Sequence, residues 1–110
     1  MVELSIRRVT IHFANEEDRN RLEAGQMWLD SRDLVRKYSD LPQEQIVDLL
    51  RIMAHQYTDV PRDLIREVIK TEADTIRTLQ EKGVDIRPDY INLVNRTAGL
   101  LKEAKLLGEE

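Results

Sequence analysis

The sequence predicts a mainly α-helical fold: a bundle of four to five helices preceded by one N-terminal β-strand that is paired across a homodimer. Three observations carry this prediction. Apolar residues recur at helical spacing through 41–57, 60–82 and 88–107. Near the N-terminus the period changes to two, in "RRVTIHFAN" at residues 7–15. After residue 15 no segment repeats that alternation, so the strand has no later partner in the chain.

The 110 residues fit a single domain over 1–110, large enough to bury one core without disulfide or metal staples. Hydrophobic residues make up 41% and charged residues 35%, a globular balance rather than a disordered one. With only Phe13, Trp28, Tyr38, Tyr57 and Tyr90 as aromatics, the core must be mostly Leu, Ile and Val. No cysteine is present, which excludes disulfide frameworks, thiolate metal sites and cysteine nucleophiles. Met1 runs into a polar strand without a charged-then-apolar leader, and no apolar run is long enough to span a bilayer. A soluble, cytoplasmic protein with no membrane partner is expected. The net charge of −4, from 17 basic and 21 acidic residues, counts against a general binder of phosphate backbones.

Element by element, the chain begins with a strand within 1–14. Val2, Leu4 and Ile6 alternate, then Val9, Ile11 and Phe13 alternate in the opposite phase. The switch at Arg7-Arg8 reads as a bulge, or as a strand that properly begins at Arg8. Asn15 then offers a helix N-cap, with Glu16, Glu17 and Asp18 where the helix dipole favours acids. Residues 15–39 read as short helices, the first of them exposed or a loose turn because "EEDRNRLEAG" is poor in apolar residues, and Asp30 or Ser31 offers a restart.

The helix over 41–57 aligns Ile46, Leu49, Leu50, Met53 and Tyr57. The helix over 60–82 aligns Leu64, Ile65, Val68, Ile69, Ala73, Ile76 and Leu79, and Gly83 stops it. "DLPQEQIVDLLR" and "DVPRDLIREVIK" start these two helices alike, with Asp40 and Asp59 as caps and Pro in the first turn. Shared capping chemistry explains that likeness more cheaply than an ancient repeat. The helix over 88–107 carries Tyr90, Ile91, Leu93, Val94, Ala98, Leu101 and Ala104, with Thr97 able to bond a carbonyl one turn earlier. Gly99 inside that helix predicts close approach of a neighbour. Short connections predict antiparallel neighbours, as in an up-and-down bundle.

A lone strand leaves backbone groups unpaired on both edges, which folded proteins avoid. The economical solution pairs two copies of residues 8–14 across a two-fold axis, with Val9, Ile11 and Phe13 in the dimer interface. Arg8, Thr10 and His12 then face outward. This arrangement resembles the intermolecular ribbon of ribbon-helix-helix DNA-binding proteins, and "SRDLVRKY" from Ser31 stands where that family's second helix starts. The resemblance covers residues 8–38; Asp18, Arg19, Asn20 and Arg21 depart from the apolar stripe of the family's first helix. It implies DNA as a partner, with Arg8, Thr10 and His12 reading base edges in the major groove.

No catalytic or cofactor motif is found. His12 and His55, the only histidines, lack metal-ligand spacing, so no metal or cofactor is expected. Glycines 25, 83, 99 and 108 are scattered and form no phosphate cradle. Glu72 lies in the apolar stripe between Ile69 and Ile76, either as an acid–base group or, more economically, paired with a basic residue on a neighbouring helix. Met27 and Trp28 are candidate partner contacts. The leading functional expectation is a non-catalytic, homodimeric interaction or assembly module with a protein partner. DNA binding by the ribbon is the alternative, and a small helical enzyme with a carboxylate or metal site is a third reading.

Overall fold

Asn15 starts the first helix as its side-chain chemistry predicts. Its Oδ1 accepts the Asp18 backbone N–H at 2.9 Å, and Glu16, Glu17 and Asp18 occupy the first turn. The computed structural model of the chain describes the backbone of residues 2–6 and 9–13 and all of residues 15–108. From Asn15 onward it is mainly helical, with four α-helices among the described residues: α1 (Glu16–Lys37), α2 (Gln43–Ala54), α3 (Arg62–Glu81) and α4 (Pro88–Glu103).

The short helices expected over 15–39 are instead one 22-residue helix. Its exposed start is held by ion pairs one turn apart, Glu16–Arg19 at 2.8 Å and Glu17–Arg21 at 2.7 Å. Its buried positions are Ala24, Met27, Trp28, Ser31 and Val35, a helical stripe built partly from small residues. Ser31 does not restart a helix: it is fully buried, and its hydroxyl donates to the Met27 carbonyl at 2.7 Å. The helix break that the ribbon-helix-helix resemblance implies at Ser31 is therefore absent.

Ahead of α1 the backbone forms two strands, β1 (Val2–Ile6) and β2 (Val9–Phe13), paired antiparallel with Val2 opposite Phe13, Leu4 opposite Ile11 and Ile6 opposite Val9. This corrects the single strand over 1–14 and removes the premise on which the homodimer pairing rested. The physical reason lies in the phase reversal. In one continuous strand the two alternating sets would point to opposite faces, whereas a fold-back makes them cross-strand neighbours. Arg8 lies outside the described residues, as do the side chains of Val9, Thr10, Ile11, His12 and Phe13.

α1 is the central helix, packing against α2, α3 and α4, while α2 also packs on α4. α3 rests mainly on α1 and touches α4, and it does not pack on α2, its neighbour in sequence. The bundle is thus organised around α1 rather than in up-and-down order. Its core joins Met27, Trp28 and Val35 of α1 to Ile46 and Leu50 of α2, Ile65 of α3 and Leu101 of α4. Thr97 is fully buried and donates to the Leu93 carbonyl at 2.7 Å, as expected of a hydroxyl inside a helix.

Helix starts differ in detail from expectation. Pro42 and Pro61 themselves occupy the N-cap positions of α2 and α3, and neither cap makes a side-chain hydrogen bond, so Asp40 and Asp59 do not cap. The fixed proline φ, near −55° and −58°, sets the chain direction there instead. A 3₁₀ turn, His55–Tyr57, follows α2, and the Tyr57 hydroxyl donates to Asp30, tying this turn to α1. At Gly99 an added Cβ would meet nothing within 4 Å among the described residues, so close helix approach does not explain that glycine.

Candidate functional site: an apolar groove along α3

α3 carries apolar residues on an arc wider than its neighbours cover. Ile65 is the only residue of α3 that is fully buried. Leu64, Val68, Ile69 and Ile76 are half-buried, and Leu79 is 37% exposed. The inner part of the arc meets α1. The outer part, together with Ile86 and Tyr90, lines an open groove of about 710 Å³. Thr71 and Thr75 lie midway along it, where short side chains leave room between Val68 and Leu79. Arg21 of α1 and Glu67 of α3 add one charge of each sign to its lining.

Glu72 is the polar group in the groove wall, and its carboxylate is engaged on both oxygens. Oε1 accepts from Arg32 Nη1 at 2.6 Å and from the Tyr90 hydroxyl at 2.9 Å; Oε2 accepts from Trp28 Nε1 at 3.2 Å. Arg32 Nη1 also donates to the Tyr90 oxygen at 3.1 Å, and its guanidinium lies over the Tyr90 ring, 5.3 Å from the centroid. One carboxylate therefore ties α1, α3 and α4 together. The Arg32 and Glu72 side chains are only 18% and 21% exposed, which makes the pair far less screened than a surface salt bridge.

The electrostatic consequences follow from this geometry. Burial would by itself lower the Arg32 pKa, but the hydrogen bond and charge of Glu72, with Tyr90, raise it above the usual value. Tyr90 is likewise pushed up, first by burial and then by the adjacent Glu72 carboxylate, against the opposing pull of Arg32. Arg32 Nε is buried without a hydrogen-bond partner among the described residues.

Of the polar candidates singled out in the sequence, Glu72 lines this site, and it pairs with a basic residue on a neighbouring helix. Met27 and Trp28 are corrected: they are 0% and 1% exposed, belong to the core, and offer nothing to a partner. Only Trp28 reaches the site, through its indole N–H. His55 lies exposed at the end of α2. Among the described residues no cluster of His, Cys, Asp or Glu could hold a metal ion, and no helix is long and apolar enough to cross a membrane. Leu64, Val68 and Leu79 read in the sequence as core; the signal that separates them is that α3 bears two adjacent apolar rows, one more than a single neighbouring helix can bury.

No protein-family model matches the chain, no curated protein resembles it in sequence, and no solved structure matches it.

Proposed function

We propose that the protein is a non-catalytic interaction module whose working surface is the α3 groove. The observation that carries this reading is an apolar surface left open along a helix that is otherwise only partly buried. Contiguous apolar surface is costly to leave in water, and on a folded protein it marks a place where another chain or a ligand binds. The engagement of both Glu72 oxygens supports a structural role for that carboxylate over acid–base work, because neither oxygen is held free to exchange a proton with a bound substrate. The homodimer is not retained on the strand argument, since β2 has a partner in its own chain.

The test compares the full chain with a Thr75→Gln/Leu79→Gln variant, which fills and polarises the groove without adding charge. Both positions are exposed, so the variant should keep the helical circular-dichroism signal of the parent. Affinity purification from the protein's own cells should show a stoichiometric protein retained by the parent and lost by the variant. A parent dimer that the variant dissolves, read by light scattering, would equally support the groove. The same proteins and the same mass for both chains would overturn it.

A further inference from the structure

The charges of α3 are sorted around its axis, and the sorting points to the occupant of the groove. At 100° per residue, Glu67, Asp74 and Glu81 form one row, spaced seven residues apart. That row flanks the groove on its outer side. Glu67 lines the groove, and Asp74 joins Thr71, Thr75 and Thr78 in a smaller recess on the same flank. Arg66, Lys70 and Arg77 are turned further away, towards the back of the helix. Asp74 is paired with Arg77 at 2.7 Å, but Glu67 and Glu81 make no ion pair among the described residues.

Resting on the groove as an interaction surface, we infer that it receives an amphipathic helix from another protein, with its apolar face inward and basic residues along one flank. A helix is favoured over a strand because α3 satisfies its own backbone and offers no edge for a strand to extend. From Leu64 to Leu79 the groove runs on the order of 22 Å, the length of a helix of about 15 residues. Thr71 and Thr75 leave space at its centre for large apolar anchors on the incoming helix. Basic residues on the flank complement the Glu67–Asp74–Glu81 row, and the net charge of −4 adds long-range attraction for such a partner. A second copy of the chain fits poorly. Two α3 helices packed antiparallel across a two-fold axis would set this acidic row against itself.

The experiment titrates the full chain calorimetrically with two helical peptides of about 16 residues, both with leucine on one face, one flanked by lysine and the other by glutamate. The lysine peptide should bind one per chain, at least roughly tenfold tighter than the glutamate peptide, and should weaken with added salt. A Glu67→Lys/Glu81→Lys variant should reverse the preference; both positions are exposed and the change should not unfold α3. Equal binding of the two peptides, no binding of the lysine peptide, or an unchanged preference in the variant would overturn the inference. The Thr75→Gln/Leu79→Gln variant separates the two readings. If it abolishes binding of peptides that bind alike, the groove stands as a docking surface and the basic partner falls. If it changes neither, the groove falls as well.

Discussion

Glu72 shows how one residue can bind the fold together and shape the surface above it. Its carboxylate receives three hydrogen bonds, from residues 44, 40 and 18 positions away. Glu72→Ala would leave the Trp28 indole N–H and the Tyr90 hydroxyl without their acceptor and the Arg32 Nη1 with only the Tyr90 oxygen, all at least partly withdrawn from water. The expected cost is about 2–3 kcal/mol, below that of breaking a fully buried pair because both side chains keep some solvent contact. Urea unfolding followed by Trp28 fluorescence measures it directly, since Trp28 is the only tryptophan. A loss under about 0.5 kcal/mol would mean that the cluster behaves like an ordinary surface pair. The anomaly of Glu72 is legible in the sequence, as a carboxylate inside an apolar stripe. Its partners are not, because nothing local to Trp28, Arg32 or Tyr90 marks them as sharing one oxygen pair.

At the scale of elements, two helices end in the same hydrogen-bonded turn on different residues. After α3, Gly83 N–H bonds Gln80 and Val84 N–H bonds Leu79, with Gly83 at φ 83°. After α4, Lys105 N–H bonds Lys102 and Leu106 N–H bonds Leu101, with Lys105 at φ 61°. Glycine takes that left-handed conformation freely, while a lysine Cβ crowds the backbone there. Lys105→Gly should therefore stabilise the protein by about 0.5–1 kcal/mol, read as an upward shift of the thermal midpoint; a lower midpoint would show that the lysine side chain contributes more than its backbone strain costs. The stop at Gly83 is legible because glycine marks it, and the stop at Lys105 is not. The same contrast explains the larger misreadings. α2, α3 and α4 announce themselves by long apolar stripes, whereas α1 buries Ala24 and Ser31 and exposes its first two turns, so its continuity is hidden. The hairpin is hidden likewise, because the sequence between Ile6 and Val9 has no Gly, Asn or Asp to signal that the chain turns back.

In the whole molecule, burial is shared unevenly, and this bears on how the groove can work. α1, α2 and α4 each contribute at least four buried residues, whereas α3, at 20 residues, contributes Ile65 alone, in its first turn. Beyond Ile65 the helix rests on half-buried contacts and on the Glu72 cluster. The stretch after it, through Val84 at 47% exposed, is open to water. Local opening should follow that gradient, because the free energy of opening scales with the apolar contacts and protected hydrogen bonds that must be lost. Amide hydrogen exchange should therefore be slowest in α1 between Ala24 and Val35 and around Leu50 and Leu101, and faster across residues 73–82 by at least roughly tenfold. Peptide-resolved exchange measured by mass spectrometry decides this. Uniform protection along α3 would mean that its outer half is held as firmly as the core, and a groove that firm would have to be matched rigidly by its partner. A graded pattern implies a different economy. The partner helix would supply the apolar contacts that α3 lacks, so that bringing residues 73–82 to core-like protection becomes part of the binding event itself.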